Sequence, residues 1–596
     1  MNQKFKIDFK PKFFELFKKG NYTKDDFRSD LIAGIIVGII ALPLAIAFGI
    51  ASGVSPQQGL ITAIVAGFLV SFFGGSHFLI GGPTGAFIVI IYGIIAQYGF
   101  QGLMIATILA GILLILMGLT KIGNIIKFIP YPIVVGFTSG IALVIFSTQI
   151  KDFFGLTIEN VPADFIGQWG AYFKHIGTID IAETILASVC LLIIIFWPRV
   201  TKKIPGSLIA ILVGVAASVG AMYIDGISFT TIGDKFPELA GGLAMPKPEV
   251  PKIDFQTATD LFSPAFTIAI LCAIESLMAA MVADGVTGKK HNSNTELIGQ
   301  GIANVITPLF GGIPATGALA RTMANINNGG RSPMAGIIHA IVLLIIFFFA
   351  LPYAIYIPLS CLAAILVMVA YNMSEWRTFR YLLKGDKADV SVLLITFFLT
   401  VIIDLTVAIE VGVLLAIILF VKRVSETTTI STIQEEHIAA TEDEEKAQLS
   451  DIENIKISKG IEVFEINGPF FFGLANKIDE MDTDLSQDIK VRVLRMRKVP
   501  FMDGTGLNNL RNRWKRSNQK GITVVLSGVN ENVHSYLAKA GFTKEIGEEN
   551  ICNHIIPAMA RAEEILSKSI NNQNRFKKIP QYYTFKNTAV FSYISG

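Results

Sequence analysis

The stretch Gly82-Pro83-Thr84-Gly85-Ala86-Phe87 has a counterpart far along the chain, Pro314-Ala315-Thr316-Gly317-Ala318-Leu319. The Thr-Gly-Ala centre is identical in both, and Phe-Gly-Gly stands shortly before each. Each stretch opens an apolar segment that is too short to cross a bilayer alone. Paired Gly/Pro-interrupted segments at matching places in two halves of a membrane protein are the best sequence indication of a transporter's binding site.

The two interrupted segments predict a site for an anion. A helix that begins inside a membrane presents unpaired backbone N–H groups and a partial positive charge, and two such ends facing each other form an anion site. Glycine lets the backbone approach a ligand, and a threonine hydroxyl can donate to an oxyanion. Small-residue helix packing would explain one copy of Thr-Gly-Ala, but two copies at interrupted helix starts favour the site. The predicted substrate-binding residues are Thr84, Gly85, Ala86, Thr316, Gly317 and Ala318.

Composition places the chain among polytopic membrane proteins. It has 596 residues, of which 52% are hydrophobic and 16% charged. Residues 31–424 form a near-continuous series of apolar runs, whereas the remainder reads as a soluble appendage. The net charge of +3 is too small to suggest nucleic acid, and the four cysteines do not form a disulfide framework.

The chain carries no signature of catalysis. The seven histidines are scattered without metal-ligand spacing, and there is no Walker motif, nucleophile elbow or haem motif. We therefore predict no enzymatic activity, no cofactor and no metal site. Because nothing in the sequence hydrolyses ATP, transport has to be secondary or passive.

About 14 hydrophobic segments follow one another, and the third and tenth are the short ones. Loops after even-numbered segments carry the basic residues, for example Lys121, Lys289, Lys290 and Arg331. Even loops and both termini are therefore predicted to be cytoplasmic, in a multi-pass protein of the cell's inner (plasma) membrane. Two halves of seven spans have opposite orientations, so the two short helices can meet near the midplane. Predicted starts lie near residues 31, 57, 83, 102, 131, 181, 205, 262, 295, 316, 333, 356, 386 and 406.

Two charged residues stand inside predicted spans. Arg321 follows Thr316 by five positions, and an intramembrane arginine is costly and so usually functional or paired. It is predicted to add positive charge to the anion site, unless it pairs with Glu275 or faces cytoplasmic water. Glu275 lies mid-span among apolar neighbours and is the predicted coupling residue for a proton or cation. Asp404 and Glu410 are weaker candidates.

Together these residues resemble the SulP sulfate-permease family of anion transporters and channels. The resemblance covers almost the whole chain. It implies a 7+7 inverted repeat with a core of spans 1–4 and 8–11 and a gate of spans 5–7 and 12–14, an anion site between half-helices three and ten, elevator-type alternating access and a homodimer. The matching runs are Ala41-Leu42-Pro43-Leu44-Ala45-Ile46-Ala47-Phe48-Gly49, Gly81-Gly82-Pro83-Thr84-Gly85-Ala86, Ile274-Glu275-Ser276-Leu277, Asn292-Ser293-Asn294-Thr295-Glu296-Leu297-Ile298-Gly299-Gln300-Gly301, Pro314-Ala315-Thr316-Gly317 and Asn372-Met373-Ser374-Glu375.

The soluble part resembles the STAS domain that ends members of this family. Alternating residues predict strands at 461–466, 490–495 and 521–526, separated by helical stretches. Met502-Asp503-Gly504-Thr505-Gly506 is similar to the STAS helix start, which makes Thr505 a candidate phosphorylation site, although an ordinary helix-capping turn is favoured. The predicted divisions are a cytosolic segment 1–30, a transport domain 31–424, a STAS domain 430–566 and a tail 567–596.

The resemblance leaves the coupling ion and the substrate open. The sodium-coupled bicarbonate branch of the family has Asp at the position of Glu275 and a hydroxyl residue one turn later, where this chain has Ala279. Losing that oxygen favours proton coupling. The predicted function is a secondary active, proton-coupled transporter of a small anion such as sulfate or a dicarboxylate. A sodium-coupled bicarbonate transporter and a passive channel or exchanger are the alternatives. A membrane-tethered signalling protein is disfavoured, because an anchor does not need broken helices.

Overall fold

A computed structural model gives the fold of the chain. It describes residues 9–18, 22–124, 130–159, 161–162, 164–201, 204–224, 227–237, 239, 246–251, 255–403, 405–432, 457–472 and 488–577. The chain separates into two compact units, Met1–Ala416 and Ile417–Gly596. Asp404 and residues 578–596 of the predicted tail lie outside the described residues.

Helices dominate the chain as far as Thr427. Five of them are short connecting or surface helices, namely Lys12–Glu15, Phe165–Lys174, Ile232–Lys235, Phe255–Asp260 and Trp376–Leu382. The helices are α1 Lys12–Glu15, α2 Lys24–Ala51, α3 Pro56–Phe73, α4 Ile88–Leu119, α5 Tyr131–Phe154, α6 Phe165–Lys174, α7 Ile181–Phe196, α8 Gly206–Ala221, α9 Ile232–Lys235, α10 Phe255–Asp260, α11 Phe262–Thr287, α12 Ser293–Ile306, α13 Leu319–Asn327, α14 Met334–Phe349, α15 Leu359–Met373, α16 Trp376–Leu382, α17 Lys387–Ile402 and α18 Leu405–Thr427.

Each predicted membrane segment falls on a helix or near the start of one within the described residues. Seven helical stretches there are long and apolar enough to cross a membrane, and α8 and α14 are shorter apolar helices. Gly99, with φ 66°, interrupts α4 and so divides the third segment from the fourth. The tenth segment is α13, which has nine residues. It begins at Leu319 and not at residue 316, because Thr316–Gly317 forms a short strand.

Local sequence signals start several of these helices. Thr23 accepts from the backbone N–H of Asp26, whose side chain accepts from Thr23 in return, so a capping box begins α2. Ser55 and Gln58 form the same arrangement at the start of α3. Asn292 caps α12 by accepting from Thr295 N. These caps satisfy backbone donors that a helix start leaves unpaired.

The membrane helices form two packed groups, as the fold class predicted. In the first, which we call the core, α12 lies along α4 and α3, α14 lies along α2 and α3, and α11 lies along α4 and α13. In the second, which we call the gate, α5 lies along α15 and α17, and α7 lies along α8 and α15. Few contacts join the two groups, mainly those of α2 with α8 and α15.

The first unit contains two short strands, β1 Gly81–Gly82 and β2 Thr316–Gly317. The second unit contains a five-stranded sheet, whose strands lie in the order β3 Thr429–Thr432, β4 Ile461–Asn467, β5 Val491–Lys498, β6 Thr523–Ser527 and β7 Ile551–Cys552. The first pair is antiparallel and the others are parallel. Helices cover both faces, because Val491 and Val493 pack against α22 while Leu494 and Met496 pack on the opposite side with α19 and α20. The predicted strands are confirmed. The elements are β3 Thr429–Thr432, β4 Ile461–Asn467, β5 Val491–Lys498, α19 Gly504–Gln519, β6 Thr523–Ser527, α20 Glu531–Lys539, α21 Phe542–Ile546, β7 Ile551–Cys552 and α22 Ile555–Lys577.

Candidate anion-binding site

Two extended segments enter the core from opposite parts of the chain and meet. We call residues 74–84 the first arm and residues 311–318 the second arm. Strand β1, Gly81–Gly82, pairs antiparallel with strand β2, Thr316–Gly317, so that Gly82 lies opposite Thr316. Ala318 N also donates to Ile80 O at 2.9 Å. The starts of the two half-helices therefore lie side by side, as the inverted repeat predicted.

The first half-helix begins with an accessible hydroxyl beside a carboxylate. Thr84 has extended backbone (φ −127°, ψ 158°) and precedes a 3-10 turn, Gly85–Phe87, that leads into α4. Its hydroxyl does not cap the helix but donates to Oε2 of Glu275 at 3.1 Å. Thr84 and Glu275 are half-buried, whereas Gly85 and Ala86 are buried. The substrate candidate and the coupling candidate are thus direct neighbours.

The second half-helix begins differently. The Thr316 hydroxyl donates to Cys272 O at 3.1 Å and lies 2.7 Å from Ser276 Oγ, and Gly317 N donates to the same Ser276 oxygen at 3.1 Å. Thr316 is fully buried. Its hydroxyl therefore anchors the arm, while Leu319, at 41% exposure, is the accessible part of this helix start. The two identical Thr-Gly-Ala sequences therefore have different roles, since Thr84 bonds the Glu275 carboxylate and Thr316 bonds the backbone of α11.

Glycine is required where the arms pass close to other groups. Gly82 has φ 153°, and a Cβ there would overlap Nη1 of Arg321. At Gly317 a Cβ would approach Cδ2 of Leu79 to 2.6 Å, so the Leu79 side chain would have to move to admit a methyl group. These two positions explain why the backbones of the arms can pair directly.

Arg321 supplies a buried positive charge behind the first arm. Its side chain is 2% exposed, and Nη2 donates to Pro83 O at 2.9 Å. Nη1 is buried and has no hydrogen-bond partner among the described residues. Among the described residues Glu275 is bonded to Thr84, and the buried ion pair of Arg321 with Glu275, which the sequence left open, is not present. The guanidinium charge is therefore not balanced by direct contact with a carboxylate.

Side chains that sequence analysis did not single out hold both arms. On α12, the Glu296 carboxylate accepts from Gly75 N at 2.8 Å and Ser76 N at 3.0 Å. About two turns further along the same face of the helix, Asn304 Oδ1 accepts from Ala315 N at 2.9 Å and Asn304 Nδ2 donates to Ala315 O at 2.8 Å. α12 therefore fixes both arms at once. Further bonds join Thr62 to Ile313, Thr322 to Ile80 and Asn325 to Phe78.

We expect Asn304→Leu to destabilise the core. The change removes the partner of the buried Ala315 N and leaves Ala315 O with the weak thiol donor of Cys272, at 3.4 Å. An unpaired buried group costs roughly 1–3 kcal/mol. A fall in thermal unfolding temperature, measured on purified protein in detergent, checks this. Asn328→Ala is the matched control, since Asn328 bonds only a carbonyl of its own helix, Ala324 O. Equal stability of the two variants would show that the hydrogen bonds of Asn304 with Ala315 do not stabilise the core.

The other candidates lie apart from this cluster. Glu410, on α18, is exposed. Thr505 is exposed in the first turn of α19, where Asp503 and not Thr505 caps the helix by accepting from Gly506 N at 2.7 Å. Within the part of the chain that the structure describes, no three His, Cys, Asp or Glu residues lie close enough to hold a metal ion.

Comparison with known proteins agrees with the fold. Residues 27–396 match the model of the Sulfate permease family, and residues 453–559 match that of the STAS domain. The chain therefore belongs to the sulfate permease family, and the predicted resemblance is confirmed. This is a family of multi-pass membrane transporters of anions, not of enzymes.

Individual relatives span most of the chain. It is 40% identical over 540 residues to the protein named "Putative sulfate transporter YvdB" of Bacillus subtilis (89% of this chain, 97% of the relative). It is 31% identical over 512 residues to the bicarbonate transporter BicA of Synechocystis sp. (83% and 86%). The structure of murine Slc26a9 in the inward-facing state has a TM-score of 0.82 at 18% identity (92% and 93%), which shows the fold alone. The transmembrane domain of a cyanobacterial BicA has a TM-score of 0.56 at 30% identity (66% and 98%).

Proposed function

We propose that the chain is a secondary active transporter that couples uptake of a small anion to protons. The observation that carries the proposal is the hydrogen bond from Thr84 to Glu275 at the accessible start of the first half-helix. An ionised Glu275 repels an anion at this place, by about 3 kcal/mol for charges about 5 Å apart at an effective dielectric constant of about 20. Protonation of Glu275 removes that repulsion, so anion and proton bind together.

The direction of the same hydrogen bond reinforces the coupling. While Glu275 is ionised it can only accept, so the Thr84 hydroxyl proton points at the carboxylate. A protonated Glu275 donates to the Thr84 oxygen instead, and the hydroxyl proton becomes available to the anion. One proton therefore both neutralises the carboxylate and releases a donor.

Charge balance supports an anion as the substrate. Arg321 is buried, and within the described part of the chain one of its nitrogens has no hydrogen-bond partner. The starts of two helices add further positive potential next to it. In the empty site the ionised Glu275 offsets this charge; in the loaded site the bound anion takes that role while Glu275 carries the proton. Thr84, Gly85 and Ala86 would contact the anion, with Thr316, Gly317 and Ala318 holding the opposite helix start in place.

The position of the site between the two groups of helices supports alternating access. A Cβ on Gly85 would lie 2.9 Å from Met373 Sδ and 3.4 Å from Ile145 Cδ1, both of the gate, and 3.5 Å from Phe48 Cε1 of the core. Movement of the core along the gate would carry this point from one membrane face to the other. We place both termini in the cytoplasm, as the loop charges indicate, and expect a homodimer.

Sulfate and bicarbonate both remain substrates to test, since relatives named for each share the fold. Sodium coupling is disfavoured because the residues around Glu275 supply few oxygen ligands for a cation. Ala279 offers none, and the Thr316 and Ser276 hydroxyls are buried and bonded to each other. Uptake of radiolabelled sulfate, bicarbonate and succinate into proteoliposomes, under an imposed proton or sodium gradient, distinguishes these possibilities. If uptake depends on the sodium gradient and not on pH, the proposal of proton coupling is wrong and sodium coupling takes its place.

We expect a chain without residues 430–596 to keep its anion binding. The candidate site lies wholly within the unit that ends at Ala416, and the appendage is a separate unit with its own cores. Binding of labelled substrate to the purified truncation measures this. Thr84→Val in the same truncation is the control and should weaken binding. Complete loss of binding in a folded truncation would show that the site is not confined to the membrane part.

A further inference from the structure

An aromatic cluster joins the start of the chain to the end of α3. Phe13 packs on Phe72 with ring centroids 4.7 Å apart, and Phe14 lies against the same ring at 5.4 Å. Phe68 stacks on Phe72 at 5.7 Å, one turn earlier on α3. The rings therefore form one continuous aromatic cluster. Its members are Phe9, Phe13, Phe14, Phe17, Phe68, Phe72 and Phe73.

The cluster has an inner side and an outer side. Phe13 is buried, whereas Phe14 is 49% and Phe17 is 71% exposed. Phe68 is also exposed, and it belongs to a helix long and apolar enough to cross a membrane. An exposed apolar side chain on such a helix faces lipid. The outer side of the cluster continues this lipid-facing surface past the end of α3, because Phe14 and Phe68 flank the same Phe72 ring.

Charge on this segment fits a membrane surface. Glu15, its acidic residue, is paired with Lys12 at 2.9 Å. Exposed Lys10 and Lys18 stand on either side of the exposed phenylalanines. Aromatic side chains flanked by lysines are the composition of segments that lie in the bilayer interface, and each lysine is attracted to anionic headgroups.

The segment is attached to the core at the beginning of the first arm. Lys12 N donates to Gly74 O at 3.0 Å, and Lys10 N donates to the hydroxyl of Thr295, near the start of α12, at 3.2 Å. Glu296, the next residue, holds Gly75 and Ser76 of that arm. Residues 9–18 are therefore hydrogen-bonded both to the first arm and to α12, the helix that holds this arm in place.

We propose that residues 9–18 dock on the anionic surface of the inner leaflet and tether the transporting core to it. Phe14 and Phe17 enter the interface, while Lys10 and Lys18 contact lipid phosphates. The tether rests on the cytoplasmic placement of the N-terminus proposed above. A soluble protein covering the same phenylalanines is the competing occupant.

Phe17→Trp in the full-length chain tests this without any transport assay. Position 17 is exposed, so tryptophan fits, and the emission of the four native tryptophans is subtracted using the parent protein. The protein is reconstituted in vesicles of phosphatidylcholine, with or without phosphatidylglycerol, that carry brominated acyl chains. We expect the added emission to be quenched by brominated lipid and protected from aqueous iodide, with more quenching when phosphatidylglycerol is present.

Removal of the lysines separates the headgroup effect from apolar insertion. In a Phe17→Trp chain, Lys10→Gln with Lys18→Gln should abolish the gain in quenching from phosphatidylglycerol, since each lysine contributes a factor of roughly five to binding at an anionic surface. Lys384→Gln, at an exposed lysine elsewhere, should leave the gain intact. Equal quenching in both lipid mixtures overturns the anionic-lipid assignment. Quenching by iodide but not by brominated lipid overturns membrane docking itself and favours a protein occupant.

Discussion

Glu275→Gln is expected to abolish accumulation of the anion against its gradient while leaving anion binding measurable. Glutamine keeps the size of the side chain and its bond with Thr84, but it cannot carry a proton. In the parent, affinity should fall as pH rises and Glu275 becomes ionised, by up to about 100-fold for a repulsion of about 3 kcal/mol. In the variant, affinity should stay at the acid-side value across the same pH range.

Binding of labelled substrate as a function of pH and uptake under an imposed pH gradient, with sodium absent, together measure this effect. Glu410→Gln serves as the control, because Glu410 is exposed and lies on α18, and it should behave as the parent does. If Glu275→Gln concentrates substrate as well as the parent, then Glu275 is a structural acid, and a passive channel or exchanger becomes the better description.

The repeated Thr-Gly-Ala sequences predict the inverted repeat and its two half-helices from the sequence alone. Local composition carries that information: glycine and proline interrupt an apolar segment, and loop charge orients its neighbours. The tenth segment becomes helical three residues after the predicted start near residue 316, because Thr316 and Gly317 pair with Gly81 and Gly82. Such pairing depends on contacts between residues far apart in the chain, which periodicity does not reveal.

The partners of the candidate residues were the part that sequence could not supply. Glu275 and Arg321 were each singled out, but as possible partners of each other, whereas Glu275 bonds Thr84 and Arg321 bonds Pro83. The sequence does contain one signal for the residues that hold the arms. Glu296, Gln300 and Asn304 stand four residues apart within an apolar segment, so they lie on one face of a helix. A buried polar stripe of that kind indicates backbone in need of hydrogen bonds.

Arg321→Met should weaken anion binding strongly without destabilising the protein. A positive charge about 8 Å from an anion, at an effective dielectric constant of about 20, contributes about 2 kcal/mol, or roughly 30-fold in affinity. Removing a buried charge that has no ion-pair partner is often neutral or stabilising when an apolar side chain of similar length replaces it. Among the residues that the structure describes, the side-chain hydrogen bond lost is the one to Pro83 O.

The two measurements, substrate affinity and thermal unfolding temperature, separate a role in binding from a role in folding. Arg321→Lys is the matched control: it retains the positive charge and should recover part of the affinity, although a lysine does not reproduce the geometry of the guanidinium. Asn304→Leu should show the opposite pattern, with stability lost first. If Arg321→Met lowers the unfolding temperature as much as Asn304→Leu while the folded fraction binds anion normally, Arg321 is part of the scaffold. The positive potential of the site would then come from the two helix starts alone.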